Sequence, residues 1–121
     1  MNRTLALKIV LGVVGLLFVA TAYFLAALMR QEPALAMMMS LYVTLGVFLL
    51  LAIRNPAAHR SLIAFAAWSS LAHAGVMGVQ AWFKMIGRGE LIGVVILAAI
   101  GVALIALAPA GQTEQRAAAR V

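Results

Sequence analysis

The sequence predicts an all-α protein, a transmembrane four-helix bundle whose consecutive helices are antiparallel, up-down neighbours. Three observations predict it. Hydrophobic residues fill 66% of the 121 positions and charged residues only 10%, against about half and a quarter in ordinary soluble domains. A chain this short has too little interior to hide that much apolar surface from water. The apolar residues also fall into four runs of roughly 18–25 residues each, and about 20 are needed for a helix to cross the hydrocarbon core. In lipid the backbone must satisfy its own hydrogen bonds, so each run is read as helix.

The first run, Leu5–Met29, follows Arg3 and includes Lys8. Its Ala20-Thr21-Ala22 resembles a signal-peptide cleavage site. The apolar stretch continues past that site to Met29, so we read it as a retained helix. Glu32-Pro33 separates it from the second helix, Ala34–Ile53, and proline suits the first turn of a helix. Asn55-Pro56 signals a turn before the third, Ser61–Phe83. Gly87-Arg88-Gly89-Glu90 separates that from the fourth, Leu91–Ala108, which Pro109-Ala110-Gly111 stops. The four helices form one domain, residues 1–110. Residues 111–121 are polar and alanine-rich with no apolar face, and read as a mobile, exposed tail. Short connections make sequential helices antiparallel neighbours, and no internal repeat is visible.

The net charge is +6, but the basic residues lie between apolar runs rather than in a patch with interleaved aromatics. They speak for membrane orientation and against nucleic acid as a partner. Arg3, Lys8, Arg54, Arg60, Arg116 and Arg120 fall on one side of the predicted topology. Arg30, Lys84 and Arg88 fall on the other, diluted by Glu32 and Glu90. The positive-inside rule then puts both termini in the cytoplasm, with Lys8 snorkelling to the interface.

The third run carries the chemistry. At about 100° per residue, Ser69, His73, Met77 and Gln80 share one sector of the helix. Ala66, Ser70, Ala74 and Gly78 form an adjacent small-residue stripe. Trp68 and Trp82 point the other way, toward lipid. Small residues stepped by four let two helix backbones approach closely, so Ser70, Ala74 and Gly78 are the candidate helix-packing residues. His73 falls near mid-membrane, where polar groups face the bundle interior and find a partner. Tyr42 and Thr44, from the middle of the second helix, lie at a similar depth. A hydrogen bond across helices is the simplest role for His73. The candidate ligand-binding residues are His73, Gln80, Ser69, Met77 and Tyr42. Depth matching extends the set to an outer-half cavity that also includes Tyr23, Met37 and Ser40.

Several classes are excluded. Without cysteine there is no disulfide, thiolate metal site or cysteine nucleophile. Met29, Met37, Met38, Met39, Met77 and Met85 all fall in the outer half, and thioethers with an imidazole form a donor set for Cu(I). Methionine is also a general gap-filler and no spaced methionine motif occurs, so no metal and no cofactor are expected. His59 is too far along the chain to pair with His73 across a haem. His73 has no carboxylate to orient it, and nothing near Ser69 and Ser70 supplies an oxyanion hole, so no enzyme is expected. Small multidrug transporters share the four-helix architecture, but cation antiport needs a membrane-embedded carboxylate. Here Glu32, Glu90 and Glu114 are all in connections or the tail.

As a whole, "RQEPALAMMMSLYVTLGVFLLLAIRNPAAHRSLIAFAAWSSLAHAGVMGVQA" and "GELIGVVILAAIGVALIALAP" resemble a family of small bacterial four-helix integral membrane proteins whose shared domain has no assigned function. The resemblance runs from about Leu5 to Pro109. It implies a multi-pass protein of the bacterial inner (plasma) membrane and carries over no catalytic residue. The expected role is helix–helix association, as a homo-oligomer or as an accessory subunit of a membrane-protein partner. The alternative is a small carrier or channel using the polar face of the third helix around His73.

Overall fold

Asn2 sets the start of the first helix. Its side-chain oxygen accepts the Leu5 N–H at 2.6 Å, satisfying one of the four backbone donors that every helix start leaves unpaired. The helix α1 (Arg3–Leu28) therefore begins two residues before the apolar run does. It continues unbroken through Ala20-Thr21-Ala22. The computed structural model describes residues 2–109; the expected tail, 111–121, lies outside the described residues.

Pro33 occupies the first turn of α2 (Pro33–Ala52), as the sequence suggests. The Asn55-Pro56 turn is more ordered than expected: Pro56–His59 forms one 3₁₀ turn leading into α3 (Arg60–Trp82). That helix ends at Trp82, one residue before the expected Phe83. The Met85 N–H reaches the Gln80 carbonyl at 2.8 Å and the Lys84 N–H reaches Ala81 at 3.0 Å. This is a Schellman stop, with Lys84 in the left-handed position (φ 57°) that glycine usually fills. The last helix, α4, spans Glu90–Leu107. All four membrane-length segments are long and apolar enough to cross a bilayer, and no strand occurs among the described residues.

The helices pack as two antiparallel hairpins. In the first, α1 and α2 meet backbone to backbone at Gly15 and Gly46. A Cβ placed on Gly46 would lie 2.8 Å from the Gly15 carbonyl oxygen, the Phe18 Cβ and the Val19 nitrogen. In the second, α3 and α4 meet at Gly101, where a Cβ would lie 2.5 Å from Leu71 Cγ and 2.9 Å from the Ala67 carbonyl oxygen. Gly93 approaches Met77 in the same hairpin. Where lipid is the solvent, no hydrophobic effect drives helices together, and such close approach is what replaces it.

The two hairpins join along one core. Leu7, Leu11, Val14 and Phe18 of α1 meet Leu49 and Ala52 of α2, Ile63, Ala66 and Ala67 of α3, and Ile100 and Leu104 of α4. Except for Phe18 at mid-helix, these residues come from the N-terminal halves of α1 and α3 and the C-terminal halves of α2 and α4, so the core lies toward the end that holds the start of α1, the end of α4 and the 3₁₀ turn. Cleavage after Ala22 would take four of its members away.

One expectation needs correction. Although the turn between them is short, α2 and α3 barely touch. No glycine lies on their facing sides. Bulky Leu45, Phe48, Leu62 and Phe65 stand there instead and hold the helices apart. Sequential helices are antiparallel here, but not all are packed neighbours.

The glycine contacts generate a test. Gly46→Ala should lower stability in detergent unfolding by about 1–3 kcal/mol, the usual cost of overpacking, because backbone cannot yield. Gly78→Ala, with nothing within 4 Å of the added carbon, should not destabilise, and should gain up to about 1 kcal/mol from helix propensity.

Candidate functional site

The separation of α2 and α3 leaves a lateral groove of about 930 Å³. On α2 its wall runs from Ala34 to Phe48, roughly 21 Å at the helical rise. It is mostly apolar: Ala34, Leu35, Met38, Leu41, Leu45 and Phe48 of α2 face Leu62, Phe65, Val76 and Met77 of α3 across it. All five sequence-derived ligand candidates, Tyr42, Ser69, His73, Met77 and Gln80, line it. They do so because period 3.6 stacks residues 69, 73, 77 and 80 on the α3 face that looks across at α2.

Midway along the groove, the Tyr42 hydroxyl and His73 Nδ1 are hydrogen-bonded, with ring centroids 5.3 Å apart. This bond is the polar tie between the two hairpins. Tyr42 is held in turn by Phe18 of α1, edge to face at 5.0 Å, an arrangement aromatic rings prefer. Which group donates depends on the imidazole tautomer. Either tautomer leaves His73 Nε2 available in the groove, as donor or as acceptor. Thr44, the other partner considered for His73, donates instead to the Ser40 carbonyl at 3.0 Å. Ser69 likewise donates to Ala66, at 3.2 Å.

The wider outer-half cavity is corrected. Tyr23 faces outward, 76% exposed, edge-on to Phe24. Met37 is 68% exposed, and Ser40 donates to the Met37 carbonyl at 2.6 Å. None of the three lines the groove. Met38 does, beside Met77. Neighbours in the Met37-Met38-Met39 run point in different directions around the helix, which is why one enters and another does not. Among the described residues no cluster of three histidine or acidic side chains is placed to hold a metal.

The small-residue stripe is divided. Ser70 and Ala74 are buried inside the chain, while Gly78 has open space beside it. The Ser70 hydroxyl has no partner among the described residues, so what the packing uses is its small size. Trp68 and Trp82 are outward, 63% and 83% exposed, the side on which the helical wheel puts them.

Sequence reasoning missed the two acids. Glu32, just before α2, and Glu90, which opens α4, both line the groove that Gln80 also lines. Arg30, Lys84 and Arg88 belong to the connections before α2 and α4 and do not line it. The sequence put both acids in the connections; it held no signal that α2 and α3 would part and bring the two to one cleft. The groove does not cross the molecule. Its lining stops at Phe48 and Leu62, beyond which Leu49, Ala52 and Ile63 are fully buried.

The Tyr42–His73 tie can be measured. Tyr42→Phe and His73→Leu should each destabilise the protein modestly. A double-mutant cycle in detergent unfolding should return a coupling of about 0.6–1.7 kcal/mol, the range of polar pairs between membrane helices.

The family model of a family of unknown function (DUF6632) matches residues 4–121, and the chain belongs to that family. No curated protein matches the chain, and no solved structure does.

Proposed function

Family membership assigns no reaction, and from the geometry we propose that this protein is a four-pass protein of the bacterial inner membrane that binds an amphiphile entering from the lipid phase. In this reading both termini are cytoplasmic, following the basic residues, and the mouth of the α2–α3 groove faces outward. One observation carries the proposal: the polar side chains of α3 and Tyr42 of α2 line a single apolar groove whose mouth is bordered by two carboxylates. Ligand sites are typically apolar clefts with a few placed polar groups. The apolar walls suit an acyl or isoprenoid-like chain. Glu32 and Glu90 suit a head bearing an amine, with Gln80 and His73 Nε2 as hydrogen-bonding groups along the way.

Of the two transport alternatives, this supports a carrier over a channel, because the buried side chains below the groove leave no path through the bundle. The reading contains no catalytic step. His73 is paired with a phenol, not a carboxylate, so it is not set up as a general base. Association with a second copy or a partner protein is favoured by one separate feature, the open space beside Gly78 and Gly75 on α3.

Native mass spectrometry after gentle extraction decides between these. We expect the parent chain to carry one amphiphile of defined mass, and Val76→Trp, which fills the groove from its rim, to lose it and to melt as the parent stripped of amphiphile does. A spectrum showing only integer multiples of the bare chain would sink the proposal. Additional polypeptide mass would transfer support to the association reading.

Orientation has its own check, made simple by the absence of cysteine. A single cysteine at Gln31 should react in whole cells with a membrane-impermeant thiol reagent. One at Ala57 should react only after permeabilisation.

A further inference from the structure

At the end of the molecule opposite Glu32 and Glu90, a second and smaller pocket of about 410 Å³ lies between the first turns of α1, the connection leading from α2 into the 3₁₀ turn, and the end of α4. Arg3, Lys8 and Arg54 line it, with Thr4 and Asn55 adding polar groups and Leu7, Pro56 and Leu107 adding apolar walls. Two of the bases at this end are drawn inward by the α4 terminus. Arg3 donates to the Ala108 carbonyl at 2.8 Å, and the neighbouring Arg60 donates to the Pro109 carbonyl at 3.2 Å. Helix C-termini attract cations in this way. Lys8 and Arg54 make no side-chain hydrogen bond among the described residues. Nor is there a carboxylate at this end among them, since Glu32 and Glu90 border the groove at the far side. Among the described residues, the pocket is therefore a concentration of positive charge without a counter-charge.

Its depth says what kind of anion fits. Arg3 opens α1 and Arg54 lies just beyond the last residue of α2, so both mark the membrane–water boundary. Lys8 begins about 7.5 Å further along the helix, and its long side chain lets the ammonium snorkel back to the same level. That is the level of lipid phosphates. A free anion would use the charges and leave the Leu7 and Leu107 walls without a role. We propose that this pocket binds the phosphate headgroup of an anionic phospholipid, held by Lys8, Arg54 and Arg3, with its glycerol end against Leu7 and Leu107. Basic pockets between transmembrane helices at the cytoplasmic side are suited to such headgroups. The site is independent of the groove and of what occupies it.

The test uses the full chain in nanodiscs of phosphatidylcholine, with or without phosphatidylglycerol, followed by native mass spectrometry and thermal unfolding. The parent should retain phosphatidylglycerol in preference to phosphatidylcholine and melt higher when it is present. Lys8→Gln with Arg54→Gln should cut that retention about tenfold or more, at a few-fold per charge. Arg88→Gln, at the opposite end, should leave it within twofold. Unchanged melting of the double variant in pure phosphatidylcholine shows that it folds. Should it fail to fold, each single variant should show a fold-change of about five. Equal retention of the two lipids by the parent, or equal phosphatidylglycerol retention by parent and variants, overturns the proposal. So does inorganic phosphate that raises the melting temperature in pure phosphatidylcholine as far as phosphatidylglycerol does, since the site then reads a free anion.

Discussion

Close approach of helix backbones at Gly15, Gly46 and Gly101 is the constraint on which the rest of the structure depends. Apart from the polar sector of α3 and a few polar side chains of α2, the helices are apolar around their circumference, so burial alone does not select which faces meet. Lipid tails are as good a surrounding for leucine as another helix is. Selection comes from the places where a missing side chain lets backbone and neighbouring side chains interlock over a larger area. Those places occur once between α1 and α2 and once between α3 and α4. Two tight hairpins follow, and a looser junction between them follows from the same cause.

That junction is where polarity becomes tolerable. A tyrosine and a histidine inside a fully packed helix pair would push it apart. Between α2 and α3, where Leu45, Phe48, Leu62 and Phe65 already keep the backbones separate, the same two side chains span the gap and bond to each other. Phe18 fixes the phenol from the α1 side, so the tie links three helices rather than two. Its modest energy adds a directional contact to the apolar core through which the two hairpins otherwise join. The price of that junction is an unfilled furrow, and the proposed role of the protein rests on it.

How much of this was legible follows from which signals are local. Helix number and span were readable because length against bilayer thickness decides them. The Tyr42–His73 pair was within reach because two polar groups at matching depth in an apolar bundle have few other partners. Capping was less readable. Asn2 moved one boundary outward, and Lys84 took a left-handed position usually given to glycine, ending α3 at Trp82. Packing faces were the least readable. Gly15 and Gly101 were visible as mid-helix glycines, but the sequence held no stripe of polarity to say that α2 would turn its bulky side toward α3. The assignment of Tyr23, Met37 and Ser40 to the site failed for that reason. Depth alone placed them, and depth says nothing about rotation around a helix axis.

Charge distribution adds a further consequence. Glu32 and Glu90, the two acids among the described residues, border the groove at one end, while Arg3, Lys8 and Arg54 gather around the small pocket at the other. The difference lies in the linings, since Arg30, Lys84 and Arg88 share the groove's end without lining it. The carboxylates in one lining suit an amine head, and the bases in the other suit an anionic one. Low dielectric surroundings make such differences larger than they would be in water. On the proposed roles, the two recesses would sort lipids by head charge before any specific contact is made. In the orientation that the basic residues favour, the cytoplasmic recess faces the leaflet whose anionic lipids it would select. The groove above it is left to molecules of the opposite sign.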